Sequence, residues 1–212
     1  MNQLRKRAKN NFPSVLLTLL SIVQAVALEL LWEHLHDAPY LFNFSWVAII
    51  SWAQIAATLL GVILIWVVYA GNAMRFLWVP STGDSVYPFF IGVTEFLLIE
   101  TLGPEQIGIW LIFMAVIFAA MVWGSHTILR SARLDGGNDS YFKNSKPAVL
   151  RDFAPHIIII SSILVAGLYM HFLGSVGAVA FIIILATLLM LAWQYYQSAK
   201  FWESSIAEDD EA

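Results

Sequence analysis

The sequence predicts an all-α, polytopic membrane protein with six transmembrane helices arranged as three hairpins. Composition is the first observation behind that prediction. Of 212 residues, 59% are hydrophobic and 12% charged, and the mean hydropathy is +0.73. That leaves too little polar residue to coat a soluble globule. The second is six apolar runs, each near the roughly 20 residues a helix needs to cross the hydrocarbon. The third is charge: all 11 Lys and Arg residues fall on one side of the resulting arrangement. That bias places both termini in the cytoplasm.

The cations form four clusters: Arg5, Lys6, Arg7 and Lys9; Arg75; Arg130, Arg133, Lys143, Lys146 and Arg151; and Lys200. Residues 1–12 are thus a basic cytoplasmic segment, and residues 13–202 the membrane domain. The spans lie at 13–33, 45–69, 85–102, 107–129, 155–172 and 176–196. Helix is required in each, because backbone groups in lipid must be satisfied within the segment. Pro13, Pro88 and Pro155 suit helix starts. Trp46, Trp66, Trp78, Trp110, Trp123 and Trp193 lie near span ends, where interfacial belts form. Gly103-Pro104 and Gly174 make tight outer turns, and residues 37–44 a longer outer loop. The inner loop 131–152, with Asp135-Gly136-Gly137-Asn138-Asp139, reads as flexible. The acidic 203–212 tail reads as disordered and cytoplasmic.

A secretory signal is the competing account of the first span. The basic start, an apolar stretch and Ala25-Val26-Ala27 resemble its three regions. The apolar run continues through Leu28, Leu30, Leu31 and Trp32, long enough to span, so retention is expected in a cytoplasmic (inner) membrane.

Several function classes drop out. With no cysteine, disulfides, thiolate nucleophiles and sulfur-ligated zinc or iron–sulfur sites are excluded. No phosphate-binding glycine loop, His-Glu-x-x-His helix, Gly-x-Ser-x-Gly turn or dinucleotide fingerprint occurs. The basic residues act as topology anchors, so no nucleic acid is implied. The partners implied are the lipid bilayer, a cation, and a second copy or other membrane subunit.

Acidic residues carry the functional signal. Glu29, Glu33, Asp37, Glu95, Glu100 and Glu105 lie in the outer half, where no Lys or Arg can pair with them. Glu33, Asp37, Glu100 and Glu105 sit at the water boundary, where a solvated rim accounts for them. Glu29 and Glu95 lie roughly 10 Å inside the outer ends of their helices. A carboxylate there costs about 2.5–3.5 kcal/mol on insertion scales, so each is expected to face the bundle and have a partner. Without a cation, that partner is a bound proton, the other carboxylate, or a metal or hydrated ion.

Around them, Ser14, Thr18, Ser21, Ala25, Glu29, Glu33 and His36 follow three- and four-residue steps along one face of the first helix. Ser51, Gln54, Thr58 and Gly61 do so in the second, and Gly92 and Glu95 in the third. Close helix packing explains the small residues alone; the paired acids point to cation binding. The leading expectation is a protein that moves or senses a cation, the proton above all. Glu29 and Glu95 would form the site, Gln54 orient it, and Glu33 and Glu100 attract cations to it. The alternative is a non-transporting membrane subunit or scaffold. A third reading is an enzyme with a divalent metal at His34, His36, Asp37 and His171, or with haem held through paired histidines that include His126 and His156. No cofactor is required by the leading reading.

Overall fold

The computed structural model describes residues 3–143, 146–174 and 177–210. Val176, the expected start of the sixth span, and the extreme ends 1–2 and 211–212 lie outside the described residues. Helices α1 (Gln3–Asp37), α2 (Trp46–Arg75), α3 (Thr82–Glu100), α4 (Ile107–Arg133), α5 (Asp139–Phe142), α6 (Ala154–Leu173) and α7 (Ala178–Asp210) account for the fold, and there is no strand among the described residues. Five of them, α1, α2, α4, α6 and α7, are long and apolar enough to cross a membrane. The protein is a membrane-embedded helical bundle.

The helices begin and end where capping chemistry allows. Ser45 starts α2 by accepting the Ala48 N–H at 3.1 Å. Helix α2 ends at its C-cap, Phe76, which is extended, and the next backbone groups, the N–H and carbonyl of Leu77, pair with the Asn138 side chain instead of continuing the helix. Ser81 and Asp84 start α3 with a reciprocal capping box: Ser81 N–H donates to Asp84 Oδ2 at 2.7 Å, and Asp84 N–H to Ser81 Oγ at 3.4 Å. Pro13 and Pro88 do not open helices. Each lies within one, because the polar residues ahead of it continue the helix outward. Helix α1 therefore covers most of the basic segment and runs unbroken through Ala25-Val26-Ala27. Likewise α7 continues as helix to Asp210, through most of the segment read as a tail.

Packing departs from three self-contained hairpins. Helix α3 lies between α1 and α4, α6 packs on α4, and α7 packs on α2, while α6 and α7 barely touch. Glycine decides the α4–α6 pairing. A Cβ on Gly108 would fall 2.5 Å from the His171 backbone nitrogen, and one on Gly167 would fall 3.0 Å from the Gly108 carbonyl oxygen. Only paired glycines permit so close a crossing. The α1–α3 approach uses Gly92, whose Cβ would come within 2.8 Å of Val23.

The four basic clusters gather at one end. Lys9 Nζ pairs with Asp135 at 2.6 Å, and the Arg75 guanidinium lies over the rings of Phe201 at 3.9 Å and Trp202 at 5.2 Å. The 135–142 part of the inner loop is held in place rather than free. Asn138 is buried: its amide donates to the carbonyls of Leu77 and Ala132, and its oxygen accepts the Leu77 N–H. Tyr141 and Phe142 both pack on Phe76. An asparagine that satisfies three backbone groups explains why a glycine-rich run is fixed here.

Candidate functional site

Glu95 is the centre of the candidate site. It projects from α3 toward α1 and is 0% exposed. Its partner is Gln24, which is 6% exposed. The Gln24 Nε2 donates to both carboxylate oxygens, at 2.8 and 3.0 Å. The amide oxygen, Gln24 Oε1, is buried with no hydrogen-bond partner among the described residues. Val23 against Gly92 brings the two backbones close beside this pair, within reach of the Gln24 side chain.

Glu29 is not part of this arrangement. It lies on the exposed face of α1, pointing away from the bundle, so it does not share a proton with Glu95. Ser14, Thr18, Ala25, Glu33 and His36 share that outward face, and exposed Ser21 accepts the Trp66 Nε1–H of α2 at 3.2 Å. The inward face consists of Leu16, Leu20, Val23, Gln24, Ala27 and Leu31.

Gln54 is fully buried, as its depth implied, but it serves a different contact. Its Oε1 accepts the Gly103 N–H at 3.1 Å, and its Nε2 has no partner among the described residues. Gly103 has φ +130°, a conformation suited to glycine, so the α3–α4 turn tucks into the bundle. One turn deeper, Thr58 Oγ1 accepts the Trp110 Nε1–H at 2.9 Å and donates to the Gln54 carbonyl at 3.0 Å. Trp110 is consequently a core residue rather than a member of an interfacial belt.

The rim residues disperse. Glu33, His36, Asp37, Glu100, Glu105 and His171 are exposed, whereas His34 is half-buried with Nε2 at 3.4 Å from the Tyr40 hydroxyl. Among the described residues, no group of three or more His, Asp or Glu is arranged to hold a metal ion. His34, His36, Asp37 and His171 thus fail to converge. His126 and His156 do come together, as lining residues of one cavity at the basic end.

No family model, curated protein or solved structure matches this chain. A carboxyl removed from water needs either a hydrogen-bond donor, when ionised, or an acceptor, when protonated. The primary amide of Gln24 carries both. Its Nε2 meets the ionised form, and rotation about the last side-chain bond, which is soft, presents Oε1 to the protonated form. Gln24 was not singled out in the sequence. Its signal was membership of the α1 face that carries the large apolar residues.

Proposed function

We propose that this protein crosses the cytoplasmic membrane six times with both ends inside, and binds a proton at Glu95 in order to move or sense it. The sixth crossing is α3. It starts at the Ser81–Asp84 box near the basic end and finishes at the Gly103 turn, and its 19 residues rise about 28 Å. Gathering of the basic clusters at one end supports a cytoplasmic position for that end.

The observation that carries the proton reading is Glu95 itself, completely buried and held by an amide able to serve both protonation states. Divalent cations such as calcium and magnesium take six or more oxygen ligands. Glu95 and Gln24 together supply three, a set suited to one proton. The outward Glu29, Glu33 and Glu100 act at a distance, raising cation concentration at the outer surface.

In proteoliposomes carrying a pH gradient, the wild type is expected to dissipate the gradient and Glu95→Gln to leave it standing. Glu29→Gln should behave as wild type. Undiminished proton flux through Glu95→Gln would overturn the reading.

One observation favours a second reading, a subunit of a larger membrane assembly. The outward face of α1 presents Ser14, Thr18, Ala25 and Glu29, a pattern suited to close contact with another membrane helix. Unchanged flux in Glu95→Gln, together with cross-linking through Ala25→Cys, would move the assignment there.

A further inference from the structure

A cavity of about 910 Å³ opens at the basic end of the bundle, away from Glu95. Its size lies toward the top of the roughly 300–1,000 Å³ of small-molecule sites. Its two halves differ in chemistry. The deep part is apolar, walled by Leu64 of α2, Phe118 and Met121 of α4, and Ile159 of α6. At the mouth stand His126, Arg130, Arg133, Lys146 and His156, against a single acid among the described lining residues, Asp152. That acid is already engaged, accepting the Val149 N–H at 2.8 Å. Arg133 is positioned by its own contacts, with its guanidinium 4.5 Å from the Phe142 ring centre and donating to the Lys146 carbonyl at 3.1 Å.

Depth and access agree with one another. From Arg130 at the mouth to Phe118 at the bottom, α4 rises through 12 residues, about 18 Å. One leaflet of hydrocarbon is about 15 Å thick, half of the ~30 Å core. Helix α6 is pinned to α4 by the Gly108–Gly167 crossing at its far end. From Ala154 to Ser162, none of its residues is buried. With α6 and α7 barely in contact, the slot between them opens sideways at the basic end, which is the inner-leaflet side on the topology proposed above.

We propose that this cavity binds one anionic amphiphile, with a hydrocarbon chain in the shaft between α6 and α7 and a phosphate headgroup at Arg130, Lys146, His126 and His156. Phosphate suits the mouth better than a carboxylate. It carries more charge and three strong acceptor oxygens, enough to engage several separate donors. The apolar shaft adds what a free phosphate ion could not use.

Native mass spectrometry of the full-length chain tests this, using phosphatidic acid, phosphatidylcholine of the same chain length, and inorganic phosphate as probes. One phosphatidic acid should be retained per chain, at concentrations where phosphatidylcholine and inorganic phosphate are not. The double variant Arg130→Gln/Lys146→Gln should weaken retention about tenfold or more, the scale of one or two charge-assisted contacts. Ile159→Trp, which fills the shaft, should weaken it as well, with thermal unfolding as the check that the bundle is intact. If that variant unfolds, the double variant alone decides. Equal retention of phosphatidylcholine, displacement of the lipid by equimolar inorganic phosphate, or unchanged phosphatidic acid retention in the double variant would each overturn the proposal.

Discussion

Leu16, Leu20, Val23, Ala27 and Leu31 repeat along α1 with steps of four, three, four and four. Ser14, Thr18, Ser21, Ala25 and Glu29 repeat with the same steps, two residues out of phase. Two residues is about 200° around a helix, so the stripes occupy opposite faces. In a soluble protein, burial of the apolar stripe would settle which one faces inward. In lipid both solvents are apolar, and that preference disappears. What decides is the donor that Glu95 requires, since Gln24 lies on one face and Glu29 on the other. The inward-facing position of Glu95 was therefore legible in the sequence, and its partner was not. The Lys9–Asp135 pair is a residue-scale feature of another kind, at the edge of the membrane domain. The hydrogen bond from Lys9 holds the Asp135 carboxyl below its ordinary value, helped by the Gly137 N–H. A depressed folded-state value means that stability is present above the unfolded pKa of about 4 and fades as pH falls below it. Thermal unfolding from pH 5 to 3 should show a steeper decline for wild type than for Asp135→Asn. Parallel declines would show that the pair contributes nothing.

At the scale of elements, five of the six apolar runs foretold helices long and apolar enough to cross a membrane, and the remaining run fell on the shorter α3, because length and hydropathy are local properties. Partner choice is not local. Sequence neighbours α6 and α7 separate because Gly108 offers α6 a groove in α4, and because Trp46 and Arg75 of α2 pack on the Phe181 and Phe201 rings of α7. The α4–α6 crossing has no slack, since the atoms nearest a Cβ at position 108 belong to backbone. Gly108→Ala should therefore destabilise the bundle by about 1–3 kcal/mol, the usual scale of overpacking. Gly71→Ala, whose Cβ would meet only Trp202 at 4.0 Å, should be nearly neutral. Detergent-solubilised unfolding of the two variants compares them directly, and equal stabilities would contradict the glycine account.

Over the whole molecule, charge asymmetry is the feature sequence conveys best. Eleven cations sorted by segment become one basic end, where the inner loop, α2 and α7 meet. The same sorting makes the cavity there cationic at its mouth, although its shape depended on the divergence of α6 from α7 and left no mark in any single segment. A protein so arranged has an acid sealed in its interior and a hollow with a basic mouth at one end. Infrared spectroscopy of the reconstituted protein follows the carbonyl stretch of protonated carboxyl groups as pH is lowered. Wild type should show a titrating carboxylic-acid band that Glu95→Gln lacks. Identical titrations in the two proteins would contradict a proton site at Glu95.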